Sequence, residues 1–204
     1  MNRQFEPSEL VTATDGTPYH IRIRPEALAD NVILVGDPAR VDLIAGKLDK
    51  VGDKTSNREI VSCKGEYKGK PITVLSTGMG VGCIDIVVNE LDICANVDLE
   101  KREPKPVHRS LNLIRIGTCG SFQDDLEVGT HVASAYAIGI DGLAYYYKGL
   151  EKINDEKLIE QFLKQTSWDK KLPYPYAVKA NESVSVGTDL SAYRIVYSES
   201  ASSY

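Results

Sequence analysis

Three short apolar runs, each followed by a loop that contains glycine, place the strongest constraint on the fold. They cover residues 31–36, 71–75 and 113–116, and their length and continuity are typical of buried strands. Helical spacing follows the first two runs. Strands that alternate with helices predict an α/β fold in which a mainly parallel or mixed sheet is flanked by helices.

The other predicted elements fit between these runs. The first helix is expected to extend from Asp37, its N-cap, through about Leu48. A strand is expected to begin near Arg58. The second helix follows residue 82. The apolar stripe expected to face the core consists of Ile84, Val87, Val88, Leu91 and Cys94 or Ala95, and Glu90 falls off this stripe. The last predicted elements are a strand at about 131–138, an amphipathic helix over 154–165 and a strand near 177–186.

Arg115 is a charge within a run that is otherwise apolar. Because a guanidinium cannot shed its proton, its burial is costly unless an anion meets it. At the carboxyl end of a strand in an α/β sheet, that anion is often the ligand. The alternative is a structural salt bridge with an Asp or Glu, and the run by itself does not separate the two interpretations.

Composition narrows the classes of function. The chain of 204 residues has a net charge of −5 and no basic stretch, which argues against a general nucleic-acid binder. The cysteines show no C-x-x-C spacing, the histidines show no metal-ligand spacing, and no apolar run approaches the ~20 residues that span a bilayer. We therefore expect a cytoplasmic protein with no metal site and no membrane contact. We also expect one domain over residues 1–204, with a polar arm at 1–17 and an irregular tail at 187–204.

Three loops carry the candidate binding and catalytic residues. They are Gly-Asp-Pro-x-Arg at 36–40, Ser-Thr-Gly-Met-Gly at 76–80 and Arg-x-Gly-Thr-Cys-Gly at 115–120. Glycine lets backbone N–H groups approach an anion closely, and arginine matches the geometry of phosphate. In this order and spacing, the loops resemble those of the nucleoside phosphorylase family of the hexameric purine nucleoside and uridine phosphorylase type. The resemblance covers roughly residues 18–150.

The resemblance implies a three-layer fold and phosphate-dependent cleavage of a nucleoside to free base and ribose 1-phosphate. Inorganic phosphate would be a co-substrate, and no cofactor is implied. Arg115 would be the catalytic residue, and the phosphate-binding residues would be Gly36, Arg40, Arg58, Arg115 and Thr118. The ribose would be bound by His20, which would reach its 5′-hydroxyl, and by Met79 and Gly80, which would line the ribose side of the pocket. No base-binding residue can be assigned. Because Arg58 and His20 would serve a neighbour's site, the resemblance also implies a dimer or a trimer of dimers with shared active sites.

The family pattern ends near residue 150, before the part that holds the ribose hydroxyls and the base. Glu182, Ser183 and Ser185 lie in the last predicted strand, but their surroundings do not match that part of the family. Uridine is favoured over purine nucleosides, because the Arg-Ile-Gly-Thr stretch and His20 are more similar to those of uridine phosphorylases. Two alternatives stay open. One is a nucleosidase-type hydrolase, which the arginines disfavour since water needs no arginine cluster. The other is a catalytically impaired member that binds nucleoside or phosphate.

Overall fold

The computed structural model describes residues 3–181 and 194–195. The chain divides into two compact units, Met1–Gly117 and Thr118–Tyr204, and the boundary falls inside the third glycine-containing loop. The single domain expected over residues 1–204 stays a prediction. Glu182, Ser183 and Ser185, together with most of the tail expected at 187–204, lie outside the described residues.

The first unit alternates strands and helices. In chain order its elements are β1 (Asn31–Val35), α1 (Ala39–Ala45), β2 (Lys50–Asn57), β3 (Ile60–Tyr67), β4 (Lys70–Ser76), α2 (Val81–Asn96), β5 (Val97–Asp98), β6 (Glu103–Pro104) and β7 (Asn112–Ile116). The described part of the second unit contains β8 (Val132–Ala133), β9 (Tyr136–Gly139), α3 (Glu156–Thr166), β10 (Tyr176–Lys179) and β11 (Arg194–Ile195).

The first unit is built on a five-stranded mixed sheet in the order β2-β3-β4-β1-β7. Strands β4, β1 and β7 run parallel, whereas β2, β3 and β4 form an antiparallel meander. The remaining pair, β5 and β6, forms a small antiparallel ribbon. This mixed sheet with helices between its strands confirms the predicted α/β class.

Side chains alternate across β1 and supply two separate cores. Val32 and Leu34 pack in one cluster with Leu91 of α2, whereas Val35 packs in the other with Val41 of α1. Because successive strand residues point to opposite faces, the two helices cover opposite sides of the sheet. Full burial of an aliphatic side chain stabilises the fold by about 1.5–3 kcal/mol. These clusters therefore hold α1 and α2 against the sheet. The first unit therefore has the three layers that the resemblance implies.

The segment between α1 and β4 differs from the prediction. Strand β2 is not predicted, because it lacks apolar alternation, is mostly exposed and is held by backbone pairing with β3. The strand predicted to begin near Arg58 is present as β3, but it begins two residues later, at Ile60, so that Arg58 lies in the two-residue turn between β2 and β3. Helix α1 ends at Ala45 rather than near Leu48. Gly46 is its C-cap residue, and the Gly46 N–H donates a hydrogen bond to the carbonyl of Asp42.

Strand β7 is present as predicted, but the prediction that it is buried is wrong. Leu113, Ile114 and Ile116 are 38%, 43% and 48% exposed, and Arg115 is exposed as well. Within the sheet of the first unit, β7 is an edge strand that pairs with β1 alone. An edge strand leaves one side open, so an apolar run of this kind does not by itself imply burial.

Helix α2 turns a carboxylate inward. Val87, Leu91 and Cys94 are buried as predicted, whereas Val88 is 37% exposed. Glu90, which is expected off the buried stripe, is buried with 8% of its surface exposed. Helical residues three and four apart share a face, so Glu90 belongs to the same arc as Val87 and Cys94. The buried face of α2 therefore includes Glu90 in place of Val88, which is a small rotation from the face that the apolar pattern predicts.

The amino-terminal arm is attached to the first unit through Arg102. Its guanidinium donates hydrogen bonds to the carbonyls of Phe5 at 2.9 Å, Glu6 at 2.8 Å and Leu10 at 2.7 Å. The Phe5 N–H donates in return to the carbonyl of Arg102 at 2.8 Å. The arm is thus polar as expected, but Leu10 within it is buried.

The second unit contains the predicted amphipathic helix. In α3, Ile159 and Phe162 are buried, and the Asp155 side chain caps the amino terminus by accepting from Leu158 N–H at 3.0 Å. The strand expected at 131–138 is divided into β8 and β9.

Burial, followed by the charge of Asp141, raises the pKa of Tyr176 to about 12. Among the described residues, no helix combines the length and apolar character needed to cross a membrane.

Candidate active site

Three parallel strands end together at one edge of the sheet in the first unit. Val35, the last residue of β1, lies opposite Ser76 of β4 on one side and Ile116 of β7 on the other. The three glycine-containing loops identified in the sequence start directly after these residues, so all three begin at the carboxyl edge of the sheet. In open α/β sheets this edge, where neighbouring strands lead to different connections, is the usual place for a ligand.

The Arg115 guanidinium lies against the backbone of two of these loops. A Cβ atom built on Gly36 would be 3.6 Å from its Nη2 atom, and one built on Gly117 would be 3.0 Å from its Nη1 atom. The Gly36 position is also 3.9 Å from the carbonyl oxygen of Gly78 in the second loop. An arginine fork beside open glycine backbone is a combination that suits a phosphate group.

The arginines expected to hold phosphate retain their donors. Within residues 3–181, the guanidinium groups of Arg40, Arg58 and Arg115 make no hydrogen bond and no ion pair. By contrast, Arg109 donates to Asp30 at 2.6 Å. The alternative of a structural salt bridge for Arg115 therefore has no partner in the described part of the chain. Arg40 lies in the first turn of α1, directly after the Gly36 loop.

The second loop is shaped by glycine. Gly78 has a φ of +73°, and a Cβ atom on it would lie 2.8 Å from Cγ of Glu59, so any other residue here would be strained and crowded. The Thr77 N–H anchors the loop by donating to the Val35 carbonyl at 2.8 Å. Met79 is 91% exposed at the tip, and Gly80 forms the N-cap of α2. The two residues expected to line the ribose thus lie in the loop that follows β4.

Arg58 occupies a strained position at the tip of the β2–β3 hairpin. Its φ of +56° lies in the left-handed region, which disfavours residues other than glycine. Beside it, the Asn57 side chain donates hydrogen bonds to the carbonyls of Tyr19 at 3.1 Å and His20 at 2.9 Å. Strained residues of this kind cluster at functional sites, and here the hairpin tip is fastened to the segment that carries His20.

His20 is held by a carboxylate that the sequence prediction did not assign to the site. The backbone N–H groups of His20 and Ile21 each donate to Oε2 of Glu90 at 2.8 Å. The other carboxylate oxygen, Oε1, lies 2.6 Å from Nδ1 of the His20 ring. The position of Glu90 three residues after Val87, on the face of α2 that packs inward, is a signal that could have indicated its burial, although not its partner.

Thr118 is the remaining predicted phosphate ligand, and it begins the second unit. The structure therefore brings Gly36 and Arg115 together and places Met79 and Gly80 on the second loop at the same sheet edge. It presents His20 and Arg58 from segments joined by Asn57. The roles of all these residues, and that of Thr118, stay predictions.

Comparison with known families decides where this arrangement belongs. The family model described as the phosphorylase superfamily matches residues 30–202, which is most of the chain. The chain belongs to the phosphorylase superfamily. The match contains the three loops at the carboxyl edge of the sheet, and the family recognised from their motifs is confirmed.

Individual members of the superfamily resemble the chain over different lengths. The uridine phosphorylase of Thermococcus kodakarensis is 30% identical over 151 residues, which are 74% of this chain and 50% of that protein. The DeoD-type purine nucleoside phosphorylase of Bacillus thuringiensis is 38% identical over 110 residues, or 53% of this chain and 41% of that protein. The chain therefore matches half or less of the length of these two relatives.

A solved structure resembles the chain as a whole. A Trypanosoma brucei nucleoside phosphorylase that shows uridine phosphorylase activity superposes with a TM-score of 0.75 at 27% identity. The match covers 96% of this chain and 69% of that one. The uridine phosphorylase of Vibrio fischeri superposes with a TM-score of 0.57 over 76% of this chain and 61% of that one. The match to the first of these structures thus includes residues of both units.

The strain at Arg58 yields a test of its role in this superfamily member. In Arg58→Gly, relief of the left-handed conformation (~1–2 kcal/mol) should exceed the added chain entropy of glycine (~0.5–1 kcal/mol). Urea unfolding should therefore show unchanged or slightly greater stability. Phosphate affinity measured by calorimetry should fall at least about tenfold, because one charge-assisted hydrogen bond is lost.

Lys68→Gly is the matched control for that variant. Lys68 has a φ of +49° in the turn between β3 and β4, so the same strain is relieved at a position with no assigned role. Its phosphate affinity should equal that of the unmodified chain. Equal loss of phosphate affinity in both variants, or unchanged affinity in Arg58→Gly, would remove Arg58 from the site.

Proposed function

We propose that this chain carries out phosphorolysis of a nucleoside, with uridine favoured, and releases the free base and ribose 1-phosphate. The observation that carries the proposal is the Arg115 guanidinium, which lies beside Gly36 at the carboxyl edge of three parallel strands and has no partner within residues 3–181. A set of donors without a protein acceptor at this edge suits an anionic substrate. Two relatives named as uridine phosphorylases support the choice of base.

The main task of the protein in the proposed reaction is to hold a phosphate oxygen and C1′ of the ribose in line with the bond that breaks. A phosphate oxygen forms a bond to C1′ of the ribose as the bond from C1′ to the base nitrogen breaks. The bonding electrons leave with the base, which then takes up a proton. Arg115 and Arg40 would orient the phosphate, and its negative charge would stabilise the positive charge that develops on the ribose. Inorganic phosphate would be the only co-substrate.

Self-association belongs to the same proposal. His20 and Arg58 would reach the ribose and the phosphate of a neighbouring subunit, so the working form would be a dimer or a trimer of dimers. The Asn57 hydrogen bonds to the Tyr19 and His20 carbonyls support this, because they present the two residues from one fastened surface. We also propose a cytoplasmic location, to which the four free cysteines conform.

The test is cleavage of uridine and inosine by the purified chain, with free base measured by chromatography in the presence and absence of phosphate. Release should require phosphate and should be faster with uridine. Release without phosphate would instead establish a hydrolase. Absence of release from either nucleoside, together with retained nucleoside binding in calorimetry, would establish a catalytically impaired member.

A further inference from the structure

His20 is held on three sides, and the geometry fixes which ring nitrogen remains for a ligand. Glu90 accepts two backbone hydrogen bonds through Oε2, so this carboxylate acts there as an acceptor only. Its other oxygen is 2.6 Å from Nδ1 of His20, a separation that requires a proton between the two atoms. With Glu90 ionised, that proton belongs to Nδ1, and Nε2 of a neutral ring is left as an acceptor.

The surroundings of the ring allow that nitrogen to serve a ligand. The His20 side chain is 28% exposed, whereas that of Glu90 is 10% exposed, so the carboxylate is covered and the ring is accessible. Asn57 secures the His20 carbonyl, and the Tyr19 ring meets the imidazole edge to face with centroids 5.0 Å apart. Among the described residues, Nε2 makes no hydrogen bond.

We propose that Glu90 is the positioning residue for His20, and that it makes Nε2 an acceptor which selects a hydrogen-bond donor at the 5′ position of the ribose. The inference rests on the proposed nucleoside site, because His20 acts there only if ribose is the ligand. The resemblance already implies that His20 reaches the ribose 5′-hydroxyl, and the role of Glu90 is the new part. By holding the proton on Nδ1, Glu90 would make the site favour a 5′-hydroxyl, which can donate, over a 5′-fluorine, which cannot.

Glu90→Gln is the informative variant, because the amide has the shape of the carboxylate but only one acceptor. The two backbone N–H groups of His20 and Ile21 require the amide oxygen on their side. The amide NH₂ group must then face Nδ1 and donate to it, which moves the ring proton to Nε2. The backbone contacts remain, and the hydrogen-bonding sense of Nε2 is inverted.

Two measurements test the proposal. Nitrogen-15 NMR of the His20 ring at mildly alkaline pH should show the proton on Nδ1 in the unmodified chain and on Nε2 in Glu90→Gln. The preference in kcat/KM for uridine over 5′-deoxy-5′-fluorouridine should fall about fivefold to tenfold in Glu90→Gln, because the lone pair on Nε2, which repels a 5′-fluorine, is replaced by an N–H that faces either 5′ group without repulsion. In a His20→Ala background, Glu90→Gln should leave that preference unchanged.

The outcomes separate this inference from the proposed function. A ring that carries its proton on Nε2, or on both nitrogens, in the unmodified chain would overturn the assignment. So would a Glu90→Gln variant that loses activity equally toward both nucleosides, because a purely structural role predicts that result. If the unmodified chain cleaves neither nucleoside, calorimetric affinities for the same pair replace kcat/KM. That result would count against phosphorolysis while the NMR measurement still decides the role of Glu90.

Discussion

Arg115→Ala is expected to reduce phosphate affinity and phosphate-dependent cleavage by at least about 10²-fold while the chain stays folded. The magnitude follows from two hydrogen bonds to a charged group at about 1.5 kcal/mol or more each. Folding should be unaffected, because the guanidinium is exposed and makes no ion pair within residues 3–181. Phosphate titration by calorimetry, steady-state kinetics and thermal unfolding on the same preparation measure the three quantities.

Arg24→Ala is the matched control for this variant. Arg24 is exposed, has no assigned role and carries the same charge, so its removal changes the net charge equally. Phosphate affinity should stay at the value of the unmodified chain. Arg115→Lys should fall between the two, because lysine keeps the charge but not the bidentate fork. Unaltered phosphate affinity in Arg115→Ala would refute the proposed site.

Mixing two impaired variants is expected to restore activity if sites are shared between subunits. Arg115→Ala removes a ligand from a subunit's own site, whereas Arg58→Ala would remove one from the neighbour's site. After subunits are exchanged at random, about a quarter of the sites should combine an intact Arg115 with an intact Arg58. Cleavage should therefore rise from the background of each variant to about a quarter of the unmodified rate.

A mixture of Arg115→Ala and Arg40→Ala provides the control for that experiment. Both residues would act in their own subunit's site, so no exchange of subunits can assemble an intact one. This mixture should remain at background. Failure of the first mixture to recover, despite mixed oligomers in native mass spectrometry, would contradict the contribution of Arg58 in trans. A monomer in sedimentation would contradict it as well.

The sequence predicts the parallel part of the sheet and the place of the site for one physical reason. Continuous apolar runs such as 31–35 form the central strands of α/β sheets, and glycine directly after them marks the loops at their carboxyl ends. This rule locates Gly36 and the Gly78 loop without knowledge of pairing. It also identifies Arg115, although the burial used to argue for Arg115 is wrong because β7 lies at the edge of the sheet.

The parts that could not be predicted depend on contacts between distant segments. Strand β2 follows from backbone pairing with β3, which leaves no apolar pattern in its residues. Arg58 is in a left-handed turn because β2 and β3 pair around it, and Arg58 itself carries no turn signal. Glu90 is separated by 70 residues from His20, so only the folded chain shows that a buried carboxylate serves the ring. Pairing and side-chain contact, rather than composition, determine these features.

The edge position of β7 joins ligand binding to local unfolding. In the sheet of the first unit this strand is hydrogen-bonded to β1 alone, so its detachment breaks one ladder rather than two. Openings of this kind require less free energy than global unfolding. Because the same strand carries Arg115, each opening event would remove the guanidinium from Gly36. A bound phosphate would then act as a clamp across β1 and β7, slowing amide exchange in β7 while β3 and β4 keep their own rate.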